Sequence, residues 1–562
     1  MMQLSIDIAP QVPRSAYDYG LRRSGEAHGV VLTRRPVVEL MLDLAGYTTD
    51  RDLTNLALLD PACGTGAFLL AAVERLVDVA TRQGCALTDL THALCAFDID
   101  AEHVAETRRG VTTLLTARGL PSGDATRLAE AWVHFGDFLL APLSQHFDVV
   151  VGNPPYVRIE QIAPVLQAEY RRRYSTLFDR ADLYVAFFER GLRLLTQHGT
   201  LCFVCADRWV LNRYGAPLRA LIHASFGVRV YLDLHDANPF EEAVIAYPSI
   251  IALGPGPSEA AHVGRLSSAS AEECAAVASA WRALPAPSPL LAKHQAWFSH
   301  DAPWVLSAPD QRACLQDLES RFAPLEADGA TSVGIGVATG CDHAFVVPRD
   351  ADIEPDRLVP LVMRADLQNG RIIDAGRCVI NPFRDEGGLV DLREYPRLAR
   401  HLVRHREAIA NRHVARKQPA AWYRTIDRIF PALRVAPKLL IPDIAGANTV
   451  VYDAGHYYAH HNLYTVTSST WDVEVLGALL ASRVALFFVW SYAVKMRGGY
   501  LRFQAQYLRR IRLPSPASLA PSLCDALRDA FRNRDFQALD ALALEAWQLD
   551  ALPPFDFADT RR

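Results

Sequence analysis

The amino-acid sequence predicts an α/β fold: a doubly wound strand–helix–strand domain, then a second domain of mixed α+β character. Three observations predict it. The 562 residues exceed what one ordinary core organises and suffice for two or three domains. Up to residue 256, short apolar runs alternate with segments of helical periodicity. At Gly254-Pro255-Gly256-Pro257 that alternation breaks, and short strand-like runs with a basic helix take over further on.

The elements follow in order. Residues 1–32 form an irregular N-terminal arm with Arg14, Arg22 and Arg23. A helix follows Thr33, because Val37, Val38, Leu40, Met41 and Leu44 recur at helical spacing. Ala57-Leu58-Leu59-Asp60 reads as a buried strand that runs through Pro61-Ala62-Cys63-Gly64-Thr65-Gly66 into a helix near Ala67. Residues 93–98 make a second strand, ending on Asp98, and residues 147–151 another, ending at Gly152-Asn153. A helix over 182–195 and a strand over 200–205 complete a parallel sheet. In such sheets the ligand sits beyond the carboxyl ends of the strands. This first domain spans 33–256. A connecting segment, 257–325, is rich at first in Ala, Ser, Pro and Gly. The second domain, 326–516, contains a basic helix over 395–417. A tail, 517–562, reads as a packing helix pair with Leu523, Leu527, Phe531, Phe536, Leu539, Leu542 and Leu544. No internal repeat is visible.

Half of the chain is apolar, as in soluble globular proteins. No apolar run reaches the roughly 18–20 residues of a membrane span, and no secretory signal is expected at the start. The ten cysteines are scattered. Cys202 and Cys205 form a CxxC, but within a strand-like run, so neither a redox nor a metal role is expected. A reducing cytoplasm is the simplest setting.

The net charge is −5, yet the charges are segregated. Residues 397–438 hold eleven Lys or Arg and two acids, a net of +9. Residues 483–512 hold seven and no acid, a net of +7, so the remainder carries −21. Two basic segments in an otherwise acidic chain are the footprint of a phosphate-binding face. A solvated helix face is the ordinary alternative for either one alone.

The chemistry concentrates at the strand ends of the first domain. Gly64-Thr65-Gly66 lets the backbone turn tightly and lets a ligand approach the main chain. It lacks the third glycine of a dinucleotide fingerprint and the Gly-Lys-Ser/Thr ending of a P-loop. The preceding Asp60-Pro61 suggests an acid aimed at a cation, such as the ammonium of a methionine moiety. Asp98 is placed to accept from ribose hydroxyls, or else caps a helix. Asp137, before Phe138, is placed to accept from an adenine amino group, or else stabilises a turn. In Asn153-Pro154-Pro155-Tyr156 the prolines lock the backbone and remove two amide donors. The Asn153 amide oxygen and the Pro154 carbonyl can then both accept from one NH₂ group. Tyr156 offers a flat face to a base, worth roughly 1–3 kcal/mol by analogy with measured base–aromatic stacking.

In this order, Asp60-Pro61-Ala62-Cys63-Gly64-Thr65-Gly66-Ala67-Phe68-Leu69 and Asn153-Pro154-Pro155-Tyr156-Val157 resemble the gamma class of amino-methyltransferases of the TaqI type, from restriction–modification systems. The resemblance covers most of the chain. His28-Gly29-Val30-Val31-Leu32-Thr33 is similar to the family's N-terminal motif, although Arg34 stands where the family usually has Pro. Asp182-Leu183-Tyr184-Val185-Ala186-Phe187-Phe188 and Leu201-Cys202-Phe203-Val204 match later motifs. Asn238-Pro239-Phe240 falls where the family has a second aromatic against the base. Residues 337–346 and 500–514 resemble its target-recognition domain. The resemblance implies a Rossmann-like domain that uses S-adenosyl-L-methionine to methylate N6 of a flipped adenine in double-stranded DNA. Asn rather than Ser before the prolines favours adenine over N4 of cytosine. The expected cofactor set is Thr33, Asp60, Ala62, Gly64, Gly66, Asp98, Asp137 and Phe138. The expected catalytic set is Asn153, Pro154, Tyr156 and Phe240. Arg400, Arg404, Arg412 and Arg416, from one helix, and Arg497 and Tyr500, from a Gly-rich loop, are expected to contact DNA. A separate cognate endonuclease is an expected partner.

Other readings fit less well. A methyltransferase acting on RNA or on a protein glutamine shares the loop, but the protein substrate needs no large basic module. A fused restriction–modification enzyme needs a nuclease motif, and none precedes the methyltransferase. A non-catalytic DNA-binding specificity subunit has no need of the intact Gly64 and Asn153 motifs.

Overall fold

The computed structural model describes residues 31–242, 247–258, 260–295, 301–305, 309–493, 500–555 and 557. His28, Gly29, Val30 and the Arg497 loop lie outside them. The chain divides into two compact units, Met1–Val305 and Leu306–Arg562.

The first unit is built on a nine-stranded sheet among the described residues. Its strands are β1 (Leu58–Asp60), β2 (Leu94–Asp98), β3 (Val133–Phe135), β4 (Phe147–Gly152), β5 (Leu195–Ala206), β6 (Phe226–Asp233), β7 (Pro248–Pro255), β8 (Ala260–Arg265) and β9 (Ala292–Gln295). Their order is β3-β2-β1-β4-β5-β7-β6-β8-β9. β1 is buried at every residue, so its apolar run shows no alternation, as expected of a strand covered on both faces. The helices are α1 (Arg35–Leu44), α2 (Ala67–Gln83), α3 (Ala101–Ala117), α4 (Ser122–Trp132), α5 (Pro164–Arg173), α6 (Tyr184–Arg193), the single turn α7 (Arg208–Leu211), α8 (Ala216–Ser225) and α9 (Ala271–Arg282). α1 carries Pro36 in its first turn, where the missing amide breaks no helical hydrogen bond. It buries Val37, Val38 and Met41 in one core with Leu69, Ala72 and Leu76 of α2 and Val277 of α9.

Two expectations need correction. The sheet is mixed: β3, β2, β1, β4 and β5 are parallel, but β7 runs antiparallel between β5 and β6. A continuously apolar strand does not encode its direction. The connection does, and no crossover helix is described between β6 and β7. The segment expected to connect the domains also begins inside the first unit. Val230 pairs with His262 and Val263 with Ala292, so β8 and β9 extend the sheet.

The second unit holds two four-stranded sheets among the described residues. One is antiparallel, made of Thr331–Ile335, Leu463–Ser468, Lys438–Pro442 and Val451–Asp453. The other joins Val346–Pro348, Arg377–Ile380, Leu358–Val362 and Tyr458–Ala459. The tail forms helices Pro521–Asn533 and Phe536–Trp547, which bury Leu523, Leu527 and Leu539. Among the described residues no single helix is long and apolar enough to cross a membrane. Val473–Ala481 and Arg483–Tyr492 pass that test only as a pair bent by 61°, and both are largely buried. The expected basic helix over 395–417 is three short helices, Pro396–Arg404, Arg406–Ala410 and Val414-containing His413–Lys417.

Lys438, counted among the basic residues, is buried and paired with Asp453 at 2.7 Å. Asp453 also accepts from the amides of Gly455, His456 and Tyr457. Removing one partner of a buried pair strands the other charge. Lys438→Met is expected to lower the stability of this unit by about 3 kcal/mol, read by urea unfolding. DNA affinity lost without any change in stability would instead return Lys438 to the DNA surface.

Candidate active site

The strand order reverses between β1 and β4, and their carboxyl ends open one crevice. Asp60 closes β1, Asp98 closes β2, and Asn153 follows β4.

The turn after β1 is clamped from three sides. Cys63 N donates to the Phe97 carbonyl and Gly66 N to the Cys63 carbonyl. Gly64 N donates to Asp98 Oδ2 at 2.8 Å, and Thr107 Oγ1 donates to the Gly64 carbonyl at 2.8 Å. Gly66 has φ +97°, and a Cβ there would sit 3.1 Å from Thr107. Glycine is therefore required for the loop and leaves its backbone open to a ligand.

Asp60 is fully buried. Its Oδ1 accepts from Ala62 N at 3.4 Å, and its Oδ2 has no partner among the described residues. Burial pushes its carboxyl up to about 8; the Ala62 amide opposes the shift and nearby Asp98 adds to it. An orphaned buried carboxylate beside a glycine cradle fits the ammonium of S-adenosylmethionine. Asp98 Oδ1 accepts from Asp100 N at 2.8 Å and lies 3.4 Å from His103 Nδ1. Asp98 thus holds the turn as well as facing the crevice. Asp137 is bonded on both oxygens, to Leu139 N at 2.8 Å and to the Tyr170 hydroxyl at 2.5 Å. Only its second lone pairs remain for a base. Phe138 is buried between Phe97 and Phe187.

Asn153 is the informative side chain. Its Nδ2 donates to the Val31 carbonyl at 2.8 Å and lies 3.4 Å from Thr33 Oγ1. A carbonyl can only accept, so the amide nitrogen must face Val31. Asn153 Oδ1 is thereby turned the other way, buried and without a partner among the described residues. Pro154 is buried behind it. The segment holding Val31 and Thr33 is itself tied down: Thr33 bridges Phe240, Arg34 N donates to the Pro239 carbonyl, and Glu241 N donates to the Leu32 carbonyl. Sequence reasoning assigned Thr33 to the cofactor and missed that this segment orients Asn153. A backbone carbonyl leaves no residue signature to find.

Tyr156 is half-buried, with its hydroxyl enclosed and unpartnered among the described residues. Phe240 is only 2% exposed and meets Tyr156 at 84°, with centroids 6.2 Å apart. It buttresses Tyr156 edge-on rather than presenting a parallel second face.

The expected DNA contacts separate in the second unit. The Arg412 guanidinium is spent on the carbonyls of Thr339, Ile409, Trp422 and Arg424, so it holds loops together and is not available to phosphate. Arg400 is exposed, 3.3 Å from Asp352. Arg404 is exposed and has no ion-pair partner among the described residues. Arg416 is exposed and donates to the Asn411 carbonyl. Tyr500 is 45% exposed, against Gly446. Arg497 lies outside the described residues. Asp342, His460 and His461 bring donor atoms within 4.8 Å of one another, but Asp342 and His460 hydrogen-bond directly at 2.9 Å.

The fold and crevice define an S-adenosylmethionine-dependent methyltransferase with an appended second unit. Residues 115–240 match the Eco57I restriction-modification methylase family, and residues 396–513 match the TaqI-like C-terminal specificity domain. The chain is 47% identical to the type II methyltransferase M.PaeR7I of Pseudomonas aeruginosa, over 93% of this chain and 92% of that one. It is 42% identical to M.XhoI of Xanthomonas vasicola, over 93% and 98% respectively. The type IIL restriction-modification enzyme MmeI, solved in complex with DNA, shares the fold with a TM-score of 0.63 at 13% identity, over 93% of this chain and 74% of that one. The chain belongs to the type II restriction–modification DNA methyltransferases.

If Asp60 receives the cofactor's ammonium, the raised carboxyl makes that binding proton-linked. Its carboxyl ionises near 3.8 when unfolded and near 8 in the folded protein. The folded state therefore holds an extra proton between these values, and its stability falls as pH rises from about 4 to about 8. Asp60→Asn is expected to raise the cofactor-free melting temperature at pH 8 and to weaken S-adenosylmethionine binding at least tenfold, about 1.4 kcal/mol. Calorimetry of the wild type at pH 7 should show proton release in buffers of differing ionisation enthalpy. Unchanged affinity in the variant would remove Asp60 from the cofactor site.

Proposed function

We propose that this chain methylates N6 of an adenine flipped out of duplex DNA, at a fixed recognition sequence, and so protects host DNA from a separate cognate endonuclease. The reading rests on Asn153 Oδ1, a buried acceptor turned away from the Val31 carbonyl and without a partner among the described residues. A flipped adenine supplies an NH₂ group. Asn153 Oδ1 and the Pro154 carbonyl accept its two hydrogens and draw the nitrogen toward a pyramidal form whose lone pair can attack. The cofactor supplies the sulfonium methyl, and no covalent enzyme intermediate is required. Asp60, Ala62, Gly64, Gly66 and Asp98 hold the cofactor, with Asp137, Phe138 and Thr33 flanking it. Flipping costs a few kcal/mol, which stacking on Tyr156 offsets in part. Arg400, Arg404 and Arg416 are proposed to position the duplex through phosphates, and Tyr500 to reach its edge.

Asn153→Ala is expected to lower kcat about 10²–10³-fold, as when one preorganised polar group is lost, with S-adenosylmethionine affinity unchanged. Long-read mapping of DNA from cells expressing the wild type should report N6-methyladenine at one sequence. N4-methylcytosine there would overturn the choice of base. Tyr156→Phe should keep most activity and Tyr156→Ala little, since the ring and not the hydroxyl stacks. Equal losses in steady-state assays of both would assign the role to the hydroxyl.

A further inference from the structure

We propose that Asp182, Tyr214 and Tyr184 form a hydrogen-bonded chain that sets the plane of the Tyr156 ring and thereby positions the target base. The proposal rests on the reading of Tyr156 as the stacking face.

The Tyr156 hydroxyl makes no hydrogen bond among the described residues, so no directional contact of its own fixes the ring. Its plane depends on its neighbours. Two aromatic rings meet it edge-on: Phe240 at 84°, and Tyr184 at 61° with centroids 6.3 Å apart. Phe240 has no polar atom with which to be held. Tyr184 has one. It is fully buried at the start of α6, and its hydroxyl lies 2.8 Å from the Tyr214 hydroxyl. The Tyr214 hydroxyl in turn lies 3.3 Å from Asp182 Oδ2. An ionised carboxylate only accepts, so Tyr214 donates its one proton to Asp182 and accepts from Tyr184. The chain therefore has one direction and holds Tyr184 at a defined depth.

The residues on either side of Asp182 also grip the exit of the catalytic loop. Arg158, two residues beyond Tyr156, bridges Asp182, and Leu183 N donates to the Val157 carbonyl at 2.8 Å. The Ala181–Leu183 segment thus fixes the exit of the Asn153-Pro154-Pro155-Tyr156 loop and carries the carboxylate that anchors the ring bracing its tyrosine. Burial raises the Asp182 carboxyl, against the hydrogen bond from Tyr214 and the charges of Arg208 and Arg158. These three side chains are positioning residues; none is placed to touch the base.

Tyr214→Phe removes one hydroxyl and keeps the ring. We expect kcat to fall about tenfold, within the range that small misplacements cause, with the KM for DNA and the affinity for S-adenosylmethionine unchanged. Asp182→Asn keeps an acceptor for Tyr214 and should retain kcat within about threefold, whereas Asp182→Ala should match Tyr214→Phe. If Tyr214→Phe does not fold, by circular dichroism and cofactor binding, the Asp182→Asn and Asp182→Ala pair carries the test. Single-turnover rates in a Tyr156→Ala background decide the route: neither substitution should cost anything further there. Wild-type kcat in both Tyr214→Phe and Asp182→Ala, or losses that multiply fully with Tyr156→Ala, would overturn the chain. Wild-type kcat in Tyr156→Ala alone would instead overturn the stacking reading beneath it.

Discussion

The hydrogen bond from Asn153 Nδ2 to the Val31 carbonyl joins two segments far apart in sequence. One precedes α1, and the other follows β4. Without it the Asn153 amide could rotate and satisfy its oxygen elsewhere. With it the oxygen stays buried and has no partner among the described residues, an arrangement that a folded protein keeps only when the rest of the structure enforces it. The enforcement is visible in the backbone bonds between residues 32–34 and 239–241, which hold Val31 in place. Segments distant in sequence thus combine to hold one amide group in place.

The second unit shows why a count of basic residues overstates a binding surface. Lys438 neutralises a buried aspartate, Arg412 bonds four carbonyls, and Arg428 donates to the Asp385 backbone carbonyl while lying over Phe430. Guanidinium groups are good at this because one planar fork reaches several acceptors at once. The arginines left at the surface are fewer and lie on short helices rather than along one long one. A charge run in a sequence records both uses without separating them.

Much of the first unit was legible because its strands are short apolar runs ending on acids or on Asn153, and each such end reaches the crevice. The Gly64 and Gly66 requirement was legible too, since a positive φ leaves glycine as a residue-level mark. The antiparallel β7 was not, because β7 and the half of β5 it pairs with are buried on both faces and direction leaves no pattern. The roles of Val31 and Arg412 were hidden for another reason: Val31 offers its own carbonyl and Arg412 bonds the carbonyls of other residues, main-chain atoms that every residue has. Tyr184 lay inside a recognised motif, but its link to Tyr214 joins helix to loop across thirty positions.

The extension of the first sheet through β8 and β9 bears on how such proteins exchange parts. A crossover placed at the compositional break near residue 256 would make β6 pair with a β8 from the other parent, splitting one sheet between two sequences. A crossover near residue 305 leaves the sheet intact and transfers the following unit whole. For recombination, natural or engineered, the seam in this chain is set by strand pairing and not by the glycines and prolines that mark it in the sequence.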